Sequence, residues 1–146
     1  MTTQTAHTLT PQIIGQAENA HKPLMDPVLA PTGTTFPQWV AMKLTQVAGG
    51  AIERAQLVAR ITGALKVDGQ VAQSAIAELT TAGLMSTGDG STVALTHAGK
   101  ARQHQLQAAI DQTVARVYRD IPAEDLATAA RVLTQIIAQA NAEAAA

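Results

Sequence analysis

The chain has no cysteine, which excludes thiol catalysis, CxxC redox chemistry, disulfides and cysteine-ligated zinc. Aromatic residues are almost as scarce, Phe36, Trp39 and Tyr118 being the only three in 146 residues. Their scarcity removes the rows of stacking platforms on which single-stranded nucleic acid binds, and leaves an Ala, Val, Leu and Ile core that favours closely packed helices. No apolar run is long enough to span a bilayer, and the polar opening Met1 to Gln12 lacks the basic and apolar segments of an export signal. A cytoplasmic protein with no membrane partner is therefore expected. Charge is not in excess either: 10 Lys and Arg stand against 11 Asp and Glu, a formal −1. That balance argues against indiscriminate nucleic-acid binding through a broad basic footprint, and weighs less against a specific dimeric reader that needs only a few local cations.

Enzyme signatures are missing as well. There is no Gly-rich phosphate loop, nucleophile elbow or HExxH, and Gly88-Asp89-Gly90 lies between strand-like segments, as a hairpin turn does. Glu124-Asp125 suits the positive end of a helix dipole better than acid/base catalysis. His97 and His104 are two helical turns apart, about 10 Å along the axis, too far to share a zinc ion. Glu18 and His21 offer two metal ligands with no visible third, so no metal and no cofactor is expected.

What is present is helical periodicity. Residues 1–9 read as a flexible N-terminus and 10–146 as a single domain. Thr10-Pro11 opens a helix through Ile13, Ile14, Ala17 and Ala20, which Pro23 and Pro27 are expected to kink or break. Pro31 to Thr35 read as a loop, whose last residue, Thr35, caps a helix carrying Trp39, Val40, Met42, Lys43, Leu44 and Val47. Gly49-Gly50 ends it, and Ile52, Leu57, Val58 and Ile61 predict a short helix closed at Gly63. From the cap Asp68, the spacing of Val71, Ala72, Ala75, Ile76 and Leu79 leaves Gln70, Gln73, Ser74, Ala77, Glu78 and Thr81 outward. Leu84 to Thr87 and Thr92 to Leu95 flank the glycine turn as short strands. Thr96 then caps a long helix bearing Leu106, Ile110, Val114 and Val117. Beyond Pro122 a last helix carries Leu126, Ala130, Leu133 and Ile137, and Asn141 to Ala146 is expected to fray.

Helix, tight hairpin and helix in that order form the back half of a winged helix-turn-helix, which seats an α-helix in the DNA major groove. The predicted fold is mainly α, with a small β-hairpin wing. The terminal helices carry more apolar surface than a small domain covers alone, which predicts pairing with a second copy.

The run from about Leu9 to Gln139 resembles the MarR family of winged helix-turn-helix transcriptional regulators. The resemblance is carried by Thr35-Phe36-Pro37-Gln38-Trp39-Val40, Ala77-Glu78-Leu79-Thr80-Thr81-Ala82-Gly83-Leu84, Leu95-Thr96-His97-Ala98-Gly99-Lys100 and Ile121-Pro122-Ala123-Glu124-Asp125-Leu126. It implies a homodimer with dimerisation helices at 10–34 and 97–141 and a winged lobe at 35–96. It also implies a pseudo-palindromic double-stranded operator and a repressor released by a small-molecule effector. The departures fall on the DNA-facing surface. Positions that carry basic residues in the family's recognition helix hold Ser74 and Glu78, and Ser91 stands where the wing usually supplies arginine. Residues 51–100 hold four cations, Arg54, Arg60, Lys66 and Lys100, and four anions, Glu53, Asp68, Glu78 and Asp89.

Gln70, Gln73 and Ser74 are the expected base-facing residues, since glutamine pairs bidentately with adenine. Thr81 is placed to reach a base or phosphate, Ser91 and Thr92 to approach the backbone beside the wing, and Arg54, Lys66 and Lys100 to meet phosphates. His21, Trp39 and Met42 are candidates for lining an effector pocket, with core packing the simpler role for Trp39. The alternative function is a dimeric winged-helix sensor or protein-interaction module that has lost specific DNA binding.

Overall fold

The computed structural model describes residues 7–146. Residues 1–6, most of the stretch expected to be flexible, lie outside the described residues, and His7 to Thr10 carry no regular structure. The chain forms two compact units, Met1–Asp111 and Gln112–Ala146.

The first unit opens with α1, Pro11–Leu29. Thr10 is extended and its hydroxyl accepts the Ile13 amide at 3.2 Å, while Pro11 sits at a first-turn position where no donor is needed. The expected interruption at Pro23 and Pro27 is absent, and α1 continues through both. Each proline deprives one carbonyl, those of Asn19 and Pro23, of its helical donor. Both of those residues are exposed, so water can satisfy them.

A 3-10 turn, Ala30–Thr32, leads to α2, Phe36–Val47. Its start is a reciprocal cap: the Gln38 amide donates to the Thr35 hydroxyl at 3.3 Å, and the Thr35 amide donates to Gln38 Oε1 at 3.2 Å. Strand β1, Ala51–Glu53, then runs straight into α3, Arg54–Leu65. The single short helix expected from Ile52 to Gly63 is thus corrected at both ends. Ala51, Ile52 and Glu53 pair with Ala94, Val93 and Thr92, and α3 passes Gly63 to stop at Lys66, whose left-handed backbone (φ 55°) turns the chain. The Lys66 amide donates to the Thr62 carbonyl at 2.9 Å.

Helix α4, Gly69–Thr81, starts at Asp68, which accepts the Val71 amide at 3.1 Å. It ends where Gly83 adopts φ 78°, a conformation that costs an L side chain strain, with Leu84 and Gly83 amides donating to the Leu79 and Thr80 carbonyls. Strands β2, Met85–Thr87, and β3, Thr92–Leu95, make the expected hairpin, and β1 adds to the far side of β3 to give an antiparallel sheet of order β1-β3-β2.

Helix α5, His97–Tyr118, begins under a Thr96 cap, the Gly99 amide donating to its hydroxyl at 3.0 Å. A side chain at Gly99 would place Cβ 1.9 Å from the Leu84 carbonyl oxygen, so this position admits only glycine without movement of the backbone. The core of this unit is built from Met42, Leu57, Ile61, Ile76, Leu79, Met85, Val93 and Leu106, all essentially without exposure. Burial of Ala72, Ala75, Ile76 and Leu79 fixes the rotation of α4, and so decides which of its residues point outward.

The second unit contains the end of α5 and α6, Ala123–Ala144. No residue of α6 is buried. Glu124 and Asp125 lie in its first turn, complementing the helix dipole. Asn141 to Ala144, where fraying was expected, is helical, in keeping with the high helix propensity of its alanines. Among the described residues no helix is long and apolar enough to cross a membrane.

Candidate nucleic-acid interface and ligand cleft

Helix α4 projects Gln70, Gln73, Ala77, Glu78 and Thr81 into solvent, and Ser74 is half-buried at the edge of that face. None of these side chains contributes to the core. Gln70, Ser74 and Glu78 recur at helical spacing along one groove of about 360 Å³, whose other wall is Thr35 and Pro37 at the start of α2. Gln38 Nε2 donates to Glu78 Oε2 across it.

The wing is closed by Asp89. One carboxylate oxygen accepts the Ser91 hydroxyl at 3.0 Å, the Ser91 amide at 3.1 Å and the Thr92 amide at 3.2 Å. These bonds, the Ser91 hydroxyl first, hold the exposed Asp89 carboxyl below the usual carboxylate range. The Arg54 amide donates to the Ser91 carbonyl at 2.8 Å, joining the wing to the first residue of α3. Helix, turn, helix and wing are therefore one hydrogen-bonded assembly.

A second feature lies between α1 and the start of α2. A cleft of about 540 Å³ is walled by Met25, Leu29 and Phe36, with His21, Glu18 and Asp26 along α1. His21 Nδ1 donates to the Ala17 carbonyl at 2.6 Å, which fixes the ring against its own helix.

The sequence matches no protein-family profile and no curated protein. Solved structures do match. Ligand-free NadR superposes with a TM-score of 0.77 at 17% identity, over 92% of this chain and 98% of that one. A MarR-family regulator from Rhodococcus sp. RHA1 gives 0.74 at 17% identity, over 90% and 96%. MarR from E. coli in its reduced form gives 0.70 at 18% identity, over 90% and 95%. The chain has the winged-helix fold of the MarR-type transcriptional regulators.

In this fold α4 is the second helix of the helix-turn-helix, and it carries Gln70, Gln73, Ser74 and Thr81 on or beside its solvent face. Arg54, Ser91 and Thr92 come together where the wing meets α3. The single hydroxyl proton of Ser91 is already directed at Asp89. Lys66 stands at the turn between α3 and α4. Lys100 lies in the first turn of α5, its Cε 3.6 Å from the position a Gly50 Cβ would take, so its stem covers the base of β1. Arg60, not among the residues expected at the interface, lines a polar groove with Thr92, Glu53 and Gln56. Its only signal in the sequence is that it is one more cation in a segment that has four.

Of the three residues expected to line a pocket, His21 lines this cleft. Trp39 is 7% exposed and Met42 has no exposure, and both belong to the core. Met25, Leu29 and Phe36 form the cleft instead. Their pattern is visible as an apolar stripe on α1 followed by an aromatic at the first position of α2. Among the described residues no three potential metal ligands gather.

Proposed function

We propose that this protein is a homodimeric transcriptional regulator that binds a pseudo-palindromic operator and is released by a small-molecule effector, a binding protein and not an enzyme. The observation that carries this reading is the outward face of α4: Gln70 and Gln73 are exposed, serve no packing role, and sit on a helix locked to a wing. Glutamine reads adenine through paired hydrogen bonds, so the helix has reading groups even though it has no arginine. Arg54, Lys66 and Lys100 serve as phosphate partners.

Dimerisation is supported by the apolar surface of α6, the end of α5 and the turn between them, where Val114, Val117, Ile121 and Ile137 are 36–60% exposed. Two recognition helices about 34 Å apart would enter successive major grooves, and an effector that favours a different separation would shift the population away from DNA. Effector binding is supported by the cleft beside α1. It is consistent with solved relatives of this fold in complex with salicylic acid, in a Mycobacterium tuberculosis MarR-family protein, and with 4-hydroxyphenylacetate, in NadR.

A salt series on operator binding tests the proposal, using DNA selected from a random pool and a fragment from upstream of the gene. Three phosphate-binding cations per protomer predict a slope of log affinity against log salt of about −5 for the dimer. Absence of binding at low salt by a stable dimer would favour the second reading, a sensor or protein-interaction module. The observation on its side is the groove beside α4, which carries Asp68 and Glu78 and no cation.

A further inference from the structure

We infer that the cleft between α1 and the start of α2 selects a cationic ligand with an apolar, aromatic-sized body. Its volume of about 540 Å³ suits a small organic molecule, and Met25, Leu29 and Phe36 supply an apolar wall. Phe36 is 47% exposed at its edge, an aromatic surface available to an apolar body and to an ammonium group alike.

The charges around the cleft set its sign. Two carboxylates, Glu18 and Asp26, face one ammonium, Lys22, along its wall. Lys22 is already shared between Glu18, at 3.8 Å, and the Asn19 side-chain oxygen, at 3.4 Å. Asp26 has no ion pair among the described residues and lies close to the C-terminal end of α1, where the helix dipole is negative and the last turn has no basic residue. Arg102, which donates to the Thr32 carbonyl at 3.4 Å, is not part of the wall. An anion entering the cleft meets uncompensated negative charge. A cation relieves it.

The inference refines the effector limb of the proposed function, and it is tested without DNA. Isothermal titration of the full chain with 2-phenylethylammonium, 2-phenylethanol and phenylacetate compares one skeleton in three charge states. The expected order of affinity is ammonium, alcohol, acid. Asp26→Asn should weaken the ammonium about fivefold and leave the alcohol unchanged, whereas Phe36→Ala should weaken all three. Tightest binding of phenylacetate, equal binding of all three, or no saturable binding because a second copy covers the cleft would each overturn the inference. Operator binding is scored separately. Loss of DNA recognition with the ammonium preference intact rejects the regulator and keeps the ligand class, and the opposite result does the reverse.

Discussion

Replacement of Gly99 by alanine should destabilise this protein although alanine is the better helix former. The added Cβ would lie 1.9 Å from the Leu84 carbonyl oxygen and 2.9 Å from its carbon, both backbone atoms that cannot rotate away. The start of α5 must therefore move off the α4–β2 corner by more than an ångström. Two hydrogen bonds cross that joint, the Thr96 amide to the Leu84 carbonyl at 3.1 Å and the Thr96 hydroxyl to the Gly83 carbonyl at 2.7 Å. Their loss at about 1 kcal/mol each, with about 1–2 kcal/mol of disturbed packing, outweighs the roughly 1 kcal/mol gained in helix propensity. A net loss of about 2–3 kcal/mol corresponds to a fall in melting temperature of about 10 °C. Gly63→Ala is the matched control. Gly63 lies inside α3, and a methyl group added there would meet nothing within 4 Å, so this change should stabilise by about 0.5–1 kcal/mol. Urea unfolding followed by circular dichroism measures both. A Gly99→Ala protein as stable as wild type would refute the account of this joint.

Further expectations follow from single sites. Lys66→Gly relieves a left-handed backbone and should stabilise by about 0.5–1 kcal/mol, while reducing the magnitude of the dimer's salt slope on operator DNA by about 2. Unfolding and anisotropy titrations read the two effects independently. Because folding lowers the Asp89 pKa, its support for the wing is complete above the ordinary carboxylate range and is lost as pH falls through the lowered value. Amide resonances of Ser91 and Thr92 should report a midpoint below that of an aspartate in an unstructured peptide, and lose their titration in Asp89→Ala. Ile137, 60% exposed on α6, should join the dimer contact, so Ile137→Asp should raise the dimer dissociation constant at least about tenfold in sedimentation analysis.

The parts of this structure legible in the sequence are those decided locally. Asp68 as a cap, five apolar residues at helical spacing and a glycine at the end define α4 without reference to the rest of the chain, although one of the five, Val71, is 37% exposed. Its outward face, and the hairpin about Asp89, follow from the same local rules. Strand β1 was illegible because Ala51-Ile52-Glu53 is too short to show alternation and becomes a strand only by pairing with residues 92–94. The end of α3 was misplaced because a lysine, not the nearby glycine, takes the left-handed turn. Trp39 and Met42 illustrate the limit for sites. Their types suit a pocket or a core equally, and only the packing of α2 against α3 and α4 assigns them to the core, leaving Phe36 for the cleft.

The pairing of β1 with β3 has a consequence for biosynthesis. Some forty residues separate the two partners, and the intervening segment is the helix pair followed by β2. While the ribosome has delivered only that segment, the edge of β1 has no neighbour to bond, so the winged unit cannot be completed in stages. It should consolidate in one late event, once Leu95 has emerged and the third strand slides between the other two.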